Sequence, residues 1–203
     1  GNSATVLKAG TAVITVVAAE SSSYFSATSS RIFTATKGTS SVTITSGTTV
    51  YVGSSIILTS NVTNSTGALT YTSSNPAVGV INNNSSFFGV SAGICSVTVT
   101  LAADSNYLSS TATKAIAVAK SVSTISSTLS AAYTTGTTAL LGVTTTGSTA
   151  NWSCITSNAA VATVDLTART VTFLSAGSVT FTFSLPADAN YLAASTTKTI
   201  TVT

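Results

Sequence analysis

The sequence predicts an all-β protein: antiparallel β-sandwiches in tandem, preceded by part of one. Three observations carry this expectation. An Ala-Gly pair recurs at Ala9-Gly10, Ala92-Gly93 and Ala176-Gly177, with the glycines 83 and 84 residues apart. Each glycine is followed 14 residues later by a tyrosine, Tyr24, Tyr107 and Tyr191. Between them, apolar and polar residues alternate with period two, which places one face in a core and the other in water. A period near 83 residues is too long for a solenoid rung and suits one small sandwich per repeat. The chain divides into the second half of a repeat at 1–37 and complete copies at 38–120 and 121–203. β-branched residues dominate and no 3.6-residue period persists, so no helix is expected.

The strand after each Ala-Gly pair is the clearest element. Its inward positions are Ala12, Ile14, Val16 and Ala18 in the fragment, and Cys95, Val97, Val99 and Leu101 in the first complete copy. In the last copy they are Val179, Phe181, Phe183 and Leu185. A polar turn follows, Ala-Asp-Ser-Asn-Tyr at 103–107, Ala-Asp-Ala-Asn-Tyr at 187–191 and the variant Ala-Glu-Ser-Ser-Ser-Tyr at 19–24. Asp and Asn suit such turns because their side chains accept hydrogen bonds from nearby amides. A closing strand then sets Phe33 and Ala35, Ile116 and Val118, and Ile200 and Val202 inward. Arg31, Lys114 and Lys198 share one position on it, expected to face solvent.

Lys37 and Lys120 mark the joints, and the absence of a linker after Lys120 predicts repeats touching end to end. Strands of this length give about 35–40 Å per sandwich. The front half diverges more between copies. Val42 and Ile44 predict a first strand, 50–58 a second and 68–71 a third, ended by Asn75-Pro76. Trp152 aligns with Leu69, where sandwiches often hold a core aromatic.

Composition excludes most chemistry. Only 5% of residues are charged, against about a quarter in ordinary globular proteins. The cations Lys8, Arg31, Lys37, Lys114, Lys120, Arg169 and Lys198 are scattered, which is no nucleic-acid footprint. There is no histidine, hence no Ser-His-Asp or Cys-His arrangement and no imidazole ligand. The four acids are Glu20, Asp104, Asp165 and Asp188. Asp104 and Asp188 occupy the same turn in separate copies, too far apart for a glycosidase pair, and one Asp per turn falls short of a calcium site. No catalytic residue, metal or cofactor is therefore expected. With so little to titrate, the fold should be nearly indifferent to pH and ionic strength.

Cys95 and Cys154 fall at non-equivalent positions in different copies and read as buried thiols. No secretory leader is visible, and no apolar run reaches the roughly 18 residues of a membrane span. A secreted or cell-surface protein would then be seen here in mature or excised form. Asn-x-Ser/Thr sequons at Asn61, Asn64, Asn83, Asn84 and Asn151 are candidate glycosylation sites. The three tyrosines are expected to pack rather than form a sugar-stacking row.

The succession of Ala-Gly, alternating strand, Ala-Asp-x-Asn-Tyr and Thr-Lys-x-Ile-x-Val resembles the bacterial immunoglobulin-like (Big-type) repeats of large cell-surface proteins, adhesins and extracellular fibres. The resemblance implies tandem Ig-like sandwiches, a secreted or surface location, and a structural role in a fibre, filament or stalk. Implied partners are the protein itself or neighbouring repeats of a longer chain. Two other classes stay open, an adhesin module with a glycan or host-surface ligand and a virus or phage fibre or decoration protein. In some surface fibres such a lysine forms an internal isopeptide bond, but Arg31 at the shared position argues against it.

The half repeat sharpens the structural reading. Val13, Ile14, Val16 and Phe33 form a candidate assembly segment, because two strands with apolar faces and unpaired edges invite a strand from another subunit. A window on a longer array, or an excised stretch cut through a repeat, would leave the same fragment.

Overall fold

The computed structural model describes residues 3–203; Gly1 and Asn2, within the predicted half repeat, lie outside the described residues. All named elements are strands. β1 (Gly10–Ala18) and β2 (Ala27–Ala35) form an antiparallel hairpin by themselves. Their register sets Ala12 opposite Phe33 and Ile14 opposite Arg31.

The next nine strands build a sandwich. They are β3 (Ser41–Ile44), β4 (Thr49–Tyr51), β5 (Ser55–Ile57), β6 (Ser60–Thr63), β7 (Leu69–Ser73), β8 (Gly79–Asn82), β9 (Ser86–Gly89), β10 (Gly93–Leu101) and β11 (Ser110–Ala119). One sheet has the order β4-β11-β10-β7, and the strands β5-β9-β8 and β3-β6 complete the fold. The last copy repeats the plan with β12 (Thr124–Ser127), β13 (Ala132–Tyr133), β14 (Thr138–Leu140), β15 (Val143–Thr146), β16 (Ser153–Thr156), β17 (Ala162–Asp165), β18 (Thr170–Phe173), β19 (Gly177–Leu185) and β20 (Ala194–Val202). Its sheets are β13-β20-β19-β16, β14-β18-β17 and β12-β15. The architecture is all-β, with tandem Ig-like sandwiches.

The alternation read from the sequence is the core. Cys95, Val97, Val99 and Leu101 of β10 are buried with Ile116 and Val118 of β11, and Val179, Phe181, Phe183 and Leu185 of β19 with Ile200 and Val202 of β20. Each sandwich keeps its own cluster. Phe87 fills the first. In the second, Phe173 stacks on Tyr133 at 4.4 Å and meets Phe181 edge-on at 6.4 Å, an arrangement that adds to simple area burial. Trp152 is half-buried against this core, 6.5 Å from Phe183. Cys95 and Cys154 are free, buried thiols in separate cores, and burial pushes Cys154 up to about 11.

The front half departs from expectation in two places. Residues 50–58 are two strands, because Gly53 (φ 78°) turns the chain between sheets. β4 pairs parallel with β11, Val50 opposite Val118, whereas β5 pairs antiparallel with β9. The apolar run hid this switch because both sheets bury residues on the same core. The β8–β9 hairpin was not anticipated. Asn83 and Asn84 close it, with φ of 49° and 58°, the left-handed pair that a tight hairpin turn requires.

Trp152 is the only tryptophan, so its emission reports the last sandwich alone. Phe173→Ala should cost that sandwich about 3–5 kcal/mol and lower the denaturant midpoint read from Trp152. Phe87→Ala should move that midpoint far less. Both thiols should resist aqueous thiol reagents until denaturant is added.

Candidate assembly site: the joints between repeats and the open hairpin

The joint is built from the polar turn upward. Asp104 Oδ1 accepts from the backbone N–H groups of Asn106 and Tyr107, each at 2.8 Å, which folds the turn. Its Oδ2 accepts from the Thr66 N–H at 2.9 Å and the Ser65 hydroxyl at 3.0 Å, which fastens the turn to the β6–β7 loop. Asp188 repeats this with Asn190 and Tyr191 at 2.8 Å and Thr149 at 2.9 Å. Amides aimed at a carboxylate favour its ionised form. The Thr66 amide and then that of Asn106 hold Asp104 well below the usual carboxylate range. The Thr149 and Asn190 amides hold Asp188 at about 2.

The pinned turn presents its asparagine to the preceding repeat. Asn106 Oδ1 accepts from the Ala9 N–H at 3.1 Å, and Asn190 Oδ1 from the Ala92 N–H at 2.9 Å. These alanines belong to the Ala-Gly pairs. The two recurring sequence words are thus partners across the joint.

The linking residue is clamped from both sides. Gly38 donates to the Asn106 carbonyl at 2.8 Å and accepts from the Leu108 N–H at 2.9 Å. Ser121 donates to Asn190 at 3.0 Å and accepts from Leu192 at 2.8 Å. Lys37 and Lys120 each donate to the aspartate carbonyl of the following turn, Asp104 and Asp188, at 2.6 Å. At the second joint the Ser121 hydroxyl donates to the Val52 carbonyl at 2.6 Å, and Tyr191 packs on the preceding core. Gly147 (φ +87°) makes room for it, since a Cβ there would lie 2.9 Å from the Tyr191 ring. Tyr107 and Tyr191 are half-buried, whereas Tyr24 is 79% exposed.

The hairpin is different. Ala12, Ile14, Val16, Arg31 and Phe33 share the face that β10 and β11 bury in the next copy, but no sheet covers it. Phe33 is 48% exposed and Val16 66%. Between this face and residues 4–8 lies an apolar cleft of about 370 Å³, lined by Val6, Leu7, Ile14 and Phe33. Val13 lies on the opposite face with Val17 and Ile32, so the four residues of the expected segment do not form one surface.

The shared basic position is not outward-facing, contrary to expectation. Lys114 sits opposite Val97, in phase with buried Ile116, and its amine donates to the carbonyls of Ser46 and Ile44. Lys198 opposes Phe181 in the same phase. A long alkyl stem can lie along apolar surface while its ammonium reaches the polar rim. The Lys114 amine meets backbone carbonyls rather than an Asn or Asp side chain.

All five sequon asparagines are exposed. The Asn84 amide is already engaged, donating to the Leu69 carbonyl at 2.8 Å and accepting from the Tyr71 N–H at 3.2 Å. In the last copy Arg169 instead lies over Trp152 at 6.0 Å, beside a small cleft with Asn151. No local pattern in the residues signals that pairing, since the two are 17 positions apart on different loops. Among the described residues, no three or more His, Cys, Asp or Glu gather as a metal site would need, and no helix is long and apolar enough to cross a membrane.

No protein-family model matches the chain, and no curated protein matches it. Among solved structures it is similar to S-layer protein SbsC domains 4 and 5, at 19% identity over 83% of this chain and 99% of that one, with a TM-score of 0.38. It is also similar to domains 1–6 of surface layer protein SbsC, at 16% identity over 96% of this chain and 35% of that one, with a TM-score of 0.35. Likeness at this level assigns no family.

Asn190→Ala should remove one joint hydrogen bond, worth about 0.5–1.5 kcal/mol. Hydrogen exchange at the Ala92 amide should then accelerate while core amides stay protected. Because the Asp188 carboxyl is depressed on folding, its contribution is complete above the unfolded value of about 4 and is lost as pH falls towards 2. Exchange at the turn amides of Asn190 and Tyr191, normalised for intrinsic rates, should be constant from pH 4 to 8 and rise below that window.

Proposed function

We propose that this chain is a structural segment of an extracellular fibre, filament or surface stalk, in which consecutive Ig-like sandwiches are locked into a stiff spacer. The joint carries this reading. A turn pinned by one carboxylate, an asparagine reaching back, and a lysine closing the linker leave consecutive repeats little freedom to bend. The hydroxyl-rich, weakly charged surface fits a location outside the cell, where pH and salt vary. Self-association or neighbouring repeats supply the partners.

A second reading concerns the hairpin. In the complete copies β4 runs parallel along β11 and β7 antiparallel along β10. A polypeptide completing the hairpin would run parallel to β2 and antiparallel to β1 and cover Ile14, Val16 and Phe33, as strand complementation does. Electron microscopy should show straight filaments or rods. Deleting residues 1–37 should abolish assembly if the hairpin drives it, and unchanged filaments would exclude the hairpin.

A further inference from the structure

The last sandwich opens a cleft at a place that the copy before it closes. In that earlier copy the Asn84 side chain straps the β8–β9 hairpin to β7, donating to the Leu69 carbonyl and accepting from the Tyr71 N–H. Trp152 and Cys154 stand where Leu69 and Tyr71 do. The β17–β18 connection is one residue longer, 166–169 against 83–85, and holds no asparagine. The strap is absent, and a cleft of about 240 Å³ lies between the two loops, lined by Ala150, Asn151, Trp152, Leu166 and Arg169.

Arg169 takes the place of Ser85: its carbonyl accepts from the Leu141 N–H at 2.9 Å, as that of Ser85 accepts from Leu58 at 2.7 Å. It does so with a φ of 56°, in a left-handed region that Gly, Asn and Asp favour and arginine seldom enters. Outliers of this kind gather at ligand sites. The guanidinium lies 6.0 Å over the Trp152 ring. Among the described residues no carboxylate pairs with it: Asp165, the acid nearest in sequence, accepts from the Thr167 and Ala168 amides and is not part of the lining. Trp152 is half-buried and held by the core beside Phe183. Thr149, bonded to Asp188 at the joint, immediately precedes the lining residues. The cleft thus lies on the side of the sandwich whose neighbouring repeat is in place, and it is open all the same.

We propose that this cleft binds an acidic sugar residue, a uronate or similar carboxylated pyranose of a glycan. A guanidinium matches a carboxylate with two parallel hydrogen bonds, which selects an acidic sugar over a neutral one. The Asn151 carboxamide carries both donors and an acceptor, as a sugar's hydroxyls require. The indole of Trp152 supplies an apolar surface for the C–H side of the ring. The volume falls below the roughly 300 Å³ at which drug-sized pockets begin, which suits one sugar residue better than a peptide. A single cation beside a single aromatic likewise does not suit a nucleic acid, which needs a basic patch. The site goes beyond the spacer role and stands apart from it, since it uses neither the joint bonds nor the hairpin.

Trp152 is the only tryptophan, so binding can be read at the site itself. The full chain is titrated with trigalacturonate while Trp152 emission and saturation-transfer NMR of the sugar are followed. Galactotriose, a glutamate-containing tripeptide and acetate serve as comparisons. Trigalacturonate should give a saturable emission change and transfer to its ring protons, and the three comparisons should give neither. Arg169→Asn keeps a residue that tolerates the left-handed backbone, so the fold should be retained by far-ultraviolet dichroism. That variant should bind trigalacturonate at least roughly tenfold more weakly. No response to trigalacturonate would overturn the proposal, as would undiminished binding by Arg169→Asn. An equal response to galactotriose would remove the role of the guanidinium, and an equal response to the tripeptide or acetate would remove the sugar; either overturns it. A glycan found by mass spectrometry on Asn151 itself would fill the cleft covalently and overturn it too.

Discussion

One carboxylate per repeat organises the contact on which the rest depends. Asp104 and Asp188 each gather backbone amides from their own turn and from the β6–β7 or β15–β16 loop. Without that anchor, the neighbouring asparagine would have no fixed direction, and the alanine N–H of the preceding repeat would lack its partner. In a chain almost without charge, all three aspartates hold backbone amides in place. Hydrogen bonds to an ionised acceptor are stronger than neutral ones, so a single residue can order a turn, a loop and a joint together.

The cores beside these joints are small. A domain of this size buries only about 60% of the surface its unfolded chain exposes, and contact with a neighbour adds to what it can bury. Tyr191 shows how. It follows the pinned turn of the last copy, and its ring lies against the core of the copy before it. The residue that closes the joint therefore also adds to the buried surface of the preceding copy. The β1–β2 hairpin has the reverse character, with an inner face complete in pattern and no second sheet packed on it.

Much of this was legible in the residues. Strict alternation in β10 and β19 identified the buried positions, and the recurring words located the joints and Lys37 and Lys120 within them. Other features escaped because they are not local. The bond from Asn106 to Ala9 joins residues 97 apart, and no periodicity connects them. The switch at Gly53 was masked by apolar residues on both sides of it. Charge alone argues for an outward Lys114, whereas its phase with buried Ile116 sets it inward. Alternation proved the better guide than residue type, because the backbone fixes the face and a long side chain can adapt to it.

The central claim is that consecutive sandwiches are held in one orientation. Spin labels at Thr113 and Thr197, equivalent exposed positions on β11 and β20, would measure it directly through the distance distribution between them. Labels can be introduced there selectively because Cys95 and Cys154 are buried. A single narrow distance is the expected result. A broad distribution, from sandwiches swinging about the Lys120-Ser121 link, would contradict the account.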